Sequence, residues 1–96
     1  MSQITLTSPD DSSIRSIVES ALKDRVRRLE LSIRQTEARI QKFEETYGLI
    51  TSDFLEKFRQ NELQHSSDFD DWIDESRLLI RLQKKLAKVK GIQTVD

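Results

Sequence analysis

From residue 14 to residue 47 the apolar positions recur in steps of three and four. Ile14, Ile17, Val18 and Ala21 open the stripe, and Leu22, Val26, Leu29, Ile33, Thr36, Ile40, Phe43 and Tyr47 continue it. Alternating steps of four and three make a heptad seam, so the pattern predicts one long helix with a coiled-coil-like face. Ser8 can cap its start, Pro9 suits the first helical position, and Asp10 and Asp11 favour the positive end of the dipole. No Gly or Pro follows until Gly48. Glu19 with Lys23, Asp24 with Arg28 and Glu30 with Arg34 are acid-first pairs four apart, each adding roughly a few tenths of a kcal/mol. The predicted helix covers about 9–46 and is roughly 55 Å long.

Gly48 suits the left-handed residue that closes a helix, and Leu49 can fold back on the last turn. Thr51, Ser52 and Asp53 then offer caps for a short helix carrying Phe54, Leu55 and Phe58, fading near residues 61–63. Ser66, Ser67 and Asp68 start a third helix, with Phe69, Trp72, Ile73, Leu79, Ile80, Leu82, Leu86 and Val89 on its apolar face, and Gly91 ends it. The fold class expected is all-α: a long antiparallel helical hairpin, coiled-coil-like, with a short helix at the bend. Residues 9–90 form this single domain, 1–8 an N-terminal arm and 91–96 a tail. Within the arm, Ile4, Thr5, Leu6 and Thr7 alternate with the period of a short strand, which pairs with something or stays loose.

All six aromatic residues lie near the bend: Phe43, Tyr47, Phe54, Phe58, Phe69 and Trp72. Three helices meet only there, so large rings are expected to fill that junction. The third helix, roughly 35 Å long, reaches back only to about Lys23. Ile14, Ile17, Val18, Ala21 and Leu22 then lack a cover within the chain. With Leu29 they are the expected self-association or partner interface, giving a homo-oligomer, dimer or tetramer.

Charge sharpens this picture. The net charge is −1, but residues 44–75 hold ten acids against two bases. Residues 15–42 hold eight bases against four acids, and 77–90 hold six bases and no acid. The hairpin is thus expected to be acidic at the bend and basic along its shaft. Asp70, Asp71, Asp74 and Glu75 are a candidate acidic partner-binding patch, and Arg25, Arg27 and Arg28 are candidate nucleic-acid contacts. Compensation of the helix dipole explains the acids opening the third helix, but not the mid-helix arginines.

Catalytic parts are missing. There is no Cys, His65 is the single His, and no phosphate-cradling Gly loop or nucleophile elbow is present. The acids of the third helix lack the glycine-centred Ca²⁺ loop. The expectation is a non-enzyme without metal or cofactor. No apolar run approaches the roughly 20 residues of a membrane span. The first residues lack the basic start and apolar run of a signal peptide, and the absence of Cys fits a cytosolic protein, so the expected location is cytoplasmic.

Phe43-Glu44-x-x-Tyr47-Gly48, Phe54 and Phe58, Glu62-Leu63 and Asp71-Trp72 together resemble small prokaryotic antitoxin-like proteins of toxin–antitoxin modules. Those read as a short strand, a long helix ending in FExxYG, a phenylalanine-containing turn, GEL, and an acidic segment before a Trp. Here Asn61 stands where Gly is usual before Glu62-Leu63. The resemblance spans about residues 4–82. It implies a non-catalytic protein that binds and neutralises a cognate toxin, a small basic protein to which the acidic bend is complementary. Antitoxins often also bind promoter DNA through an N-terminal element. With no Arg or Lys before Arg15, specific DNA binding is expected to be weak or absent. The alternatives are a structural or adaptor coiled coil, and a nucleic-acid-binding dimer using the basic shaft.

Overall fold

The computed structural model describes residues 11–92, which form three helices and no strand. Helix α1 runs Asp11–Tyr47, α2 runs Thr51–Arg59 and α3 runs Ser67–Lys90. The residues expected to form a strand, Ile4 to Thr7, and those expected to cap α1, Ser8 to Asp10, lie outside the described residues.

Helices α1 and α3 pack antiparallel as a hairpin. Their register is marked by two ion pairs, Arg39 Nε with Glu75 Oε2 at 2.7 Å and Lys90 Nζ with Glu30 Oε2 at 3.5 Å. The heptad seam faces inward as its spacing predicts: Leu29, Thr36 and Ile40 are buried, and Leu22, Val26, Ile33 and Phe43 half-buried. Thr36 tolerates burial because its hydroxyl donates to the Ser32 carbonyl at 2.8 Å. Ser76 is buried on α3 for the same reason, donating to the Trp72 carbonyl at 2.9 Å. The molecule is a rod of 63 × 32 × 21 Å.

Four of the helix ends have an identifiable cause. Gly48 closes α1 at φ 65°, its N–H donating to the Glu44 carbonyl at 2.8 Å. Leu49 then turns back onto the core. Ser66 caps α3, its hydroxyl oxygen accepting from the Phe69 N–H at 3.1 Å. None of the residues expected to cap α2 does so. The N-cap is Ile50, whose side chain makes no capping bond. Instead Glu44 reaches across from α1, and its Oε2 accepts from the Thr51 N–H at 2.8 Å and the Thr51 hydroxyl at 2.7 Å. A carboxylate at a helix N-terminus also complements the dipole. At the other end of α2, Asn61 takes φ 57°. The Glu62 N–H donates to the Lys57 carbonyl at 3.0 Å and the Asn61 N–H to that of Phe58 at 3.1 Å. This is a Schellman closure in which Asn61 takes the place usually held by Gly.

Candidate functional site

The bend is built around Trp72. Its ring lies flat on Phe54, with centroids 3.8 Å apart and planes 3° from parallel, and both residues are fully buried. Phe43 stacks on Trp72 at 5.6 Å, Tyr47 at 6.0 Å, and Phe69 meets both Phe54 and Tyr47 at an angle. Phe58 closes the cluster against Phe54 and meets His65 in a T-shaped contact at 4.9 Å. All six rings expected at the junction are there.

A buried indole needs an acceptor for its N–H. Trp72 Nε1 donates to the Thr51 hydroxyl at 3.0 Å, and that hydroxyl donates to Glu44. One chain of hydrogen bonds thus joins all three helices. Tyr47 adds another link, its hydroxyl donating to Asp68 Oδ2. That hydrogen bond, with some desolvation and the Asp68 charge, raises the pKa of the phenol above its ordinary value. Glu44 and Thr51 were not legible as a pair from their spacing of seven. The signal available was the Trp itself, which needs an acceptor near the bend.

The other end of the rod is the reverse. N-terminal to Leu22 every described apolar residue of α1 is exposed: Ile14 by 45%, Ile17 by 68%, Val18 by 42%, and Ala21 with them. Leu22 is half-buried at the edge of α3. Leu29, expected on the same interface, is only 4% exposed and therefore belongs to the hairpin's own seam.

No family model, curated protein or solved structure matches the chain. Its surfaces therefore carry the functional argument.

Of the expected acidic patch, Asp70, Asp71 and Asp74 are exposed. Glu75 is not free to meet a partner. Its Oε2 accepts from Arg39 Nε, and its Oε1 is turned away from solvent. Arg39 also donates to the Thr36 hydroxyl at 3.3 Å, and the Glu75 hydrogen bond raises the pKa of its guanidinium against the smaller opposing effect of burial. Asp71 and Asp74, with Asp68, Lys42 and Thr46, line a shallow groove of about 380 Å³ between α1 and α3. His65 lies against Phe58 in its loop, with Asp70 Oδ1 3.9 Å from its Nδ1 and both side chains exposed. Among the described residues no cluster of His, Cys, Asp or Glu is arranged to hold a metal ion, and no helix is long and apolar enough to cross a membrane.

Arg25, Arg27 and Arg28 are all exposed on α1, and Arg27 is paired with Asp24. The longer cationic surface lies on α3, at Arg77, Arg81, Lys84, Lys85 and Lys88, all exposed. The acid-free run from 77 to 90 was visible in the sequence. Its display on one outward side became clear only once the apolar face was assigned to α1 and α2.

Proposed function

We propose that this chain is a non-catalytic protein-interaction module of the antitoxin kind. It self-associates through the α1 overhang and holds a toxin protein by stoichiometric binding. The observation that carries the interaction reading is the exposed stripe Ile14, Ile17 and Val18. A row of branched aliphatic residues on solvent is costly to leave uncovered, and a second helix laid on it removes that cost. Dimer and tetramer both satisfy this requirement.

The antitoxin reading draws on the FExxYG, Phe, Glu-Leu and Asp-Trp residues. Phe43, Glu44, Tyr47, Gly48, Phe54, Phe58 and Trp72 build the bend or close its helices. Those seven residues are thus structural, and toxin contacts belong to the surface around them, the exposed Asp71 of the motif included. The exposed carboxylates of Asp70, Asp71 and Asp74 suit a small basic partner, whose approach they would speed at low salt.

The test is recovery of tagged protein from its own cells with identification of what accompanies it. The reading expects one stoichiometric small basic protein that arrests growth when expressed alone and is silenced by co-expression of this chain. Recovery of the chain with only copies of itself would leave the adaptor coiled coil in its place. Recovery with nucleic acid, released by Arg25→Ala with Arg28→Ala, would favour the basic-shaft reading.

A further inference from the structure

Helix α2 is nine residues long and covers only the first turns of α3. Beyond it, Leu55 and Phe58 of α2 and Ile73, Ser76 and Ile80 of α3 line a groove of about 240 Å³, with Arg59 and Arg77 also lining it. Ile80 continues the apolar side of α3 and is nevertheless 50% exposed. From Arg77 onward the neighbouring side of α3 is cationic. Arg81, Lys84, Lys85 and Lys88 follow at the three- and four-residue steps that keep helical side chains together. Lys84 is also four residues from Ile80, so the ridge borders the groove directly. In residues 77–90 the ion pair seen among the described residues is that of Lys90 with Glu30.

We infer that this face docks an acidic amphipathic helix of another protein. The apolar floor takes the partner's hydrophobic side chains, and the ridge takes its carboxylates. Residues 77–88 span roughly 17 Å, the length of about three helical turns in a partner. A second copy of this chain fits poorly. Its exposed apolar stripe, Ile14 to Ala21, carries one cation and one acid and is followed by Lys23, Arg25, Arg27 and Arg28, so it offers the ridge no acidic flank. Its acidic bend is complementary in charge, but the exposed large apolar residues there are Tyr47, which is stacked in the aromatic cluster, and Ile50, which precedes α2, so the bend offers no helical apolar stripe. A nucleic acid would satisfy the cations and leave Leu55, Phe58 and Ile80 unmatched. The overhang, Ile14 to Ala21, lies on α1 before Glu30, where Lys90 near the end of α3 pairs, so the two surfaces share no residue.

The test uses the full chain, isotope-labelled, titrated with a synthetic helical peptide of about 15 residues. The peptide carries leucines at every third or fourth position and glutamates beside them. Parallel titrations use the same peptide with lysine for glutamate, the glutamate peptide without leucines, and a duplex DNA oligomer. The expected result is saturable shifts at Leu55, Phe58, Ile73 and Ile80 with the acidic amphipathic peptide. That binding should weaken about tenfold in both Ile80→Asp and Arg77→Glu with Lys84→Glu. The substituted residues are exposed, so unchanged Trp72 fluorescence and helicity should accompany the loss. Equal binding of the lysine peptide overturns the inference. So does equal or tighter binding of DNA or of the leucine-free peptide that survives Ile80→Asp, since the face would then be a polyanion surface. A fall in the chain's own oligomeric mass on Arg77→Glu with Lys84→Glu also overturns it, by assigning the face to a second copy. Absence of any shift does so as well.

Discussion

At the bend, Phe54 and Trp72 are fully buried and stacked, and a hydrogen-bond chain through Thr51 ties Trp72 to Glu44. At the far end of the same helix α1, Ile14, Ile17 and Val18 stand 42–68% exposed, with no other helix of the described residues covering them. Both regions follow the same periodic apolar stripe. The difference is the number of helices that meet. Two thin helices bury a seam only one or two residues wide, as Leu29 and Thr36 show. A third helix supplies the extra wall that lets a whole indole leave solvent. Where α3 has ended the described residues supply no second wall, and the same kind of residue remains exposed. Stability is therefore concentrated at the bend, and capacity for association at the overhang.

The comparison breaks most severely if the cluster itself is opened. Trp72→Ala or Phe54→Ala should cost about 3–5 kcal/mol, enough to unfold much of a chain this small. Thermal unfolding followed by helicity should show it, and a small loss would mean that the bend does not hold the hairpin. Thr51→Val keeps the shape but removes the acceptor of the Trp72 N–H. It should cost about 1–3 kcal/mol in denaturant unfolding, the range expected when a buried donor loses its partner. Gly48→Ala isolates backbone conformation, because a Cβ there would meet nothing within 4 Å while φ is 65°. A loss of about 1–2 kcal/mol is expected, whereas Asn61→Gly should be neutral or slightly stabilising. Equal effects at the two sites would show that their positive φ angles are not what the substitutions probe.

The smallest effect is one of pH. Tyr47 is the single tyrosine, so its phenolate absorbance can be followed directly. Its pKa is raised by the hydrogen bond to Asp68. The stability that bond contributes is therefore fully present below the unfolded phenol's value of about 10 and is lost as pH rises through the higher folded value. Asp68→Asn should return the titration toward the ordinary value with little change in stability at neutral pH. An unchanged titration would remove Asp68 as the cause.

How much of this was legible in the sequence follows from what each feature depends on. The heptad seam, the Gly48 stop and the Ser66 cap are local patterns, and they located α1, the bend and α3 to within a few residues. The aromatic cluster followed because six rings fall within residues 43–72, around the one junction of three helices. The α2 cap did not follow, because Glu44 acts across a turn and three nearer candidates had suitable side chains. Glu75 looked like part of an open acidic patch, since its pairing with Arg39 joins residues 36 apart. Leu29 groups with the interface as the next position of the same stripe, although a third helix reaching back to about Lys23 covers it, and it is buried in the hairpin. The α2–α3 groove depends on where a short helix ends against a long one, and no periodicity within either helix reports that.

The most direct measurement is sedimentation equilibrium of the chain and of its Ile17→Asp with Val18→Asp variant, with helicity melts run alongside. The account predicts that the parent sediments as a multiple of its 11.3 kDa mass. The variant should sediment as a monomer that still unfolds cooperatively, with Trp72 buried. A parent that stays monomeric at high concentration, or an oligomer that survives both aspartates, would contradict the division between a folding bend and an associating overhang.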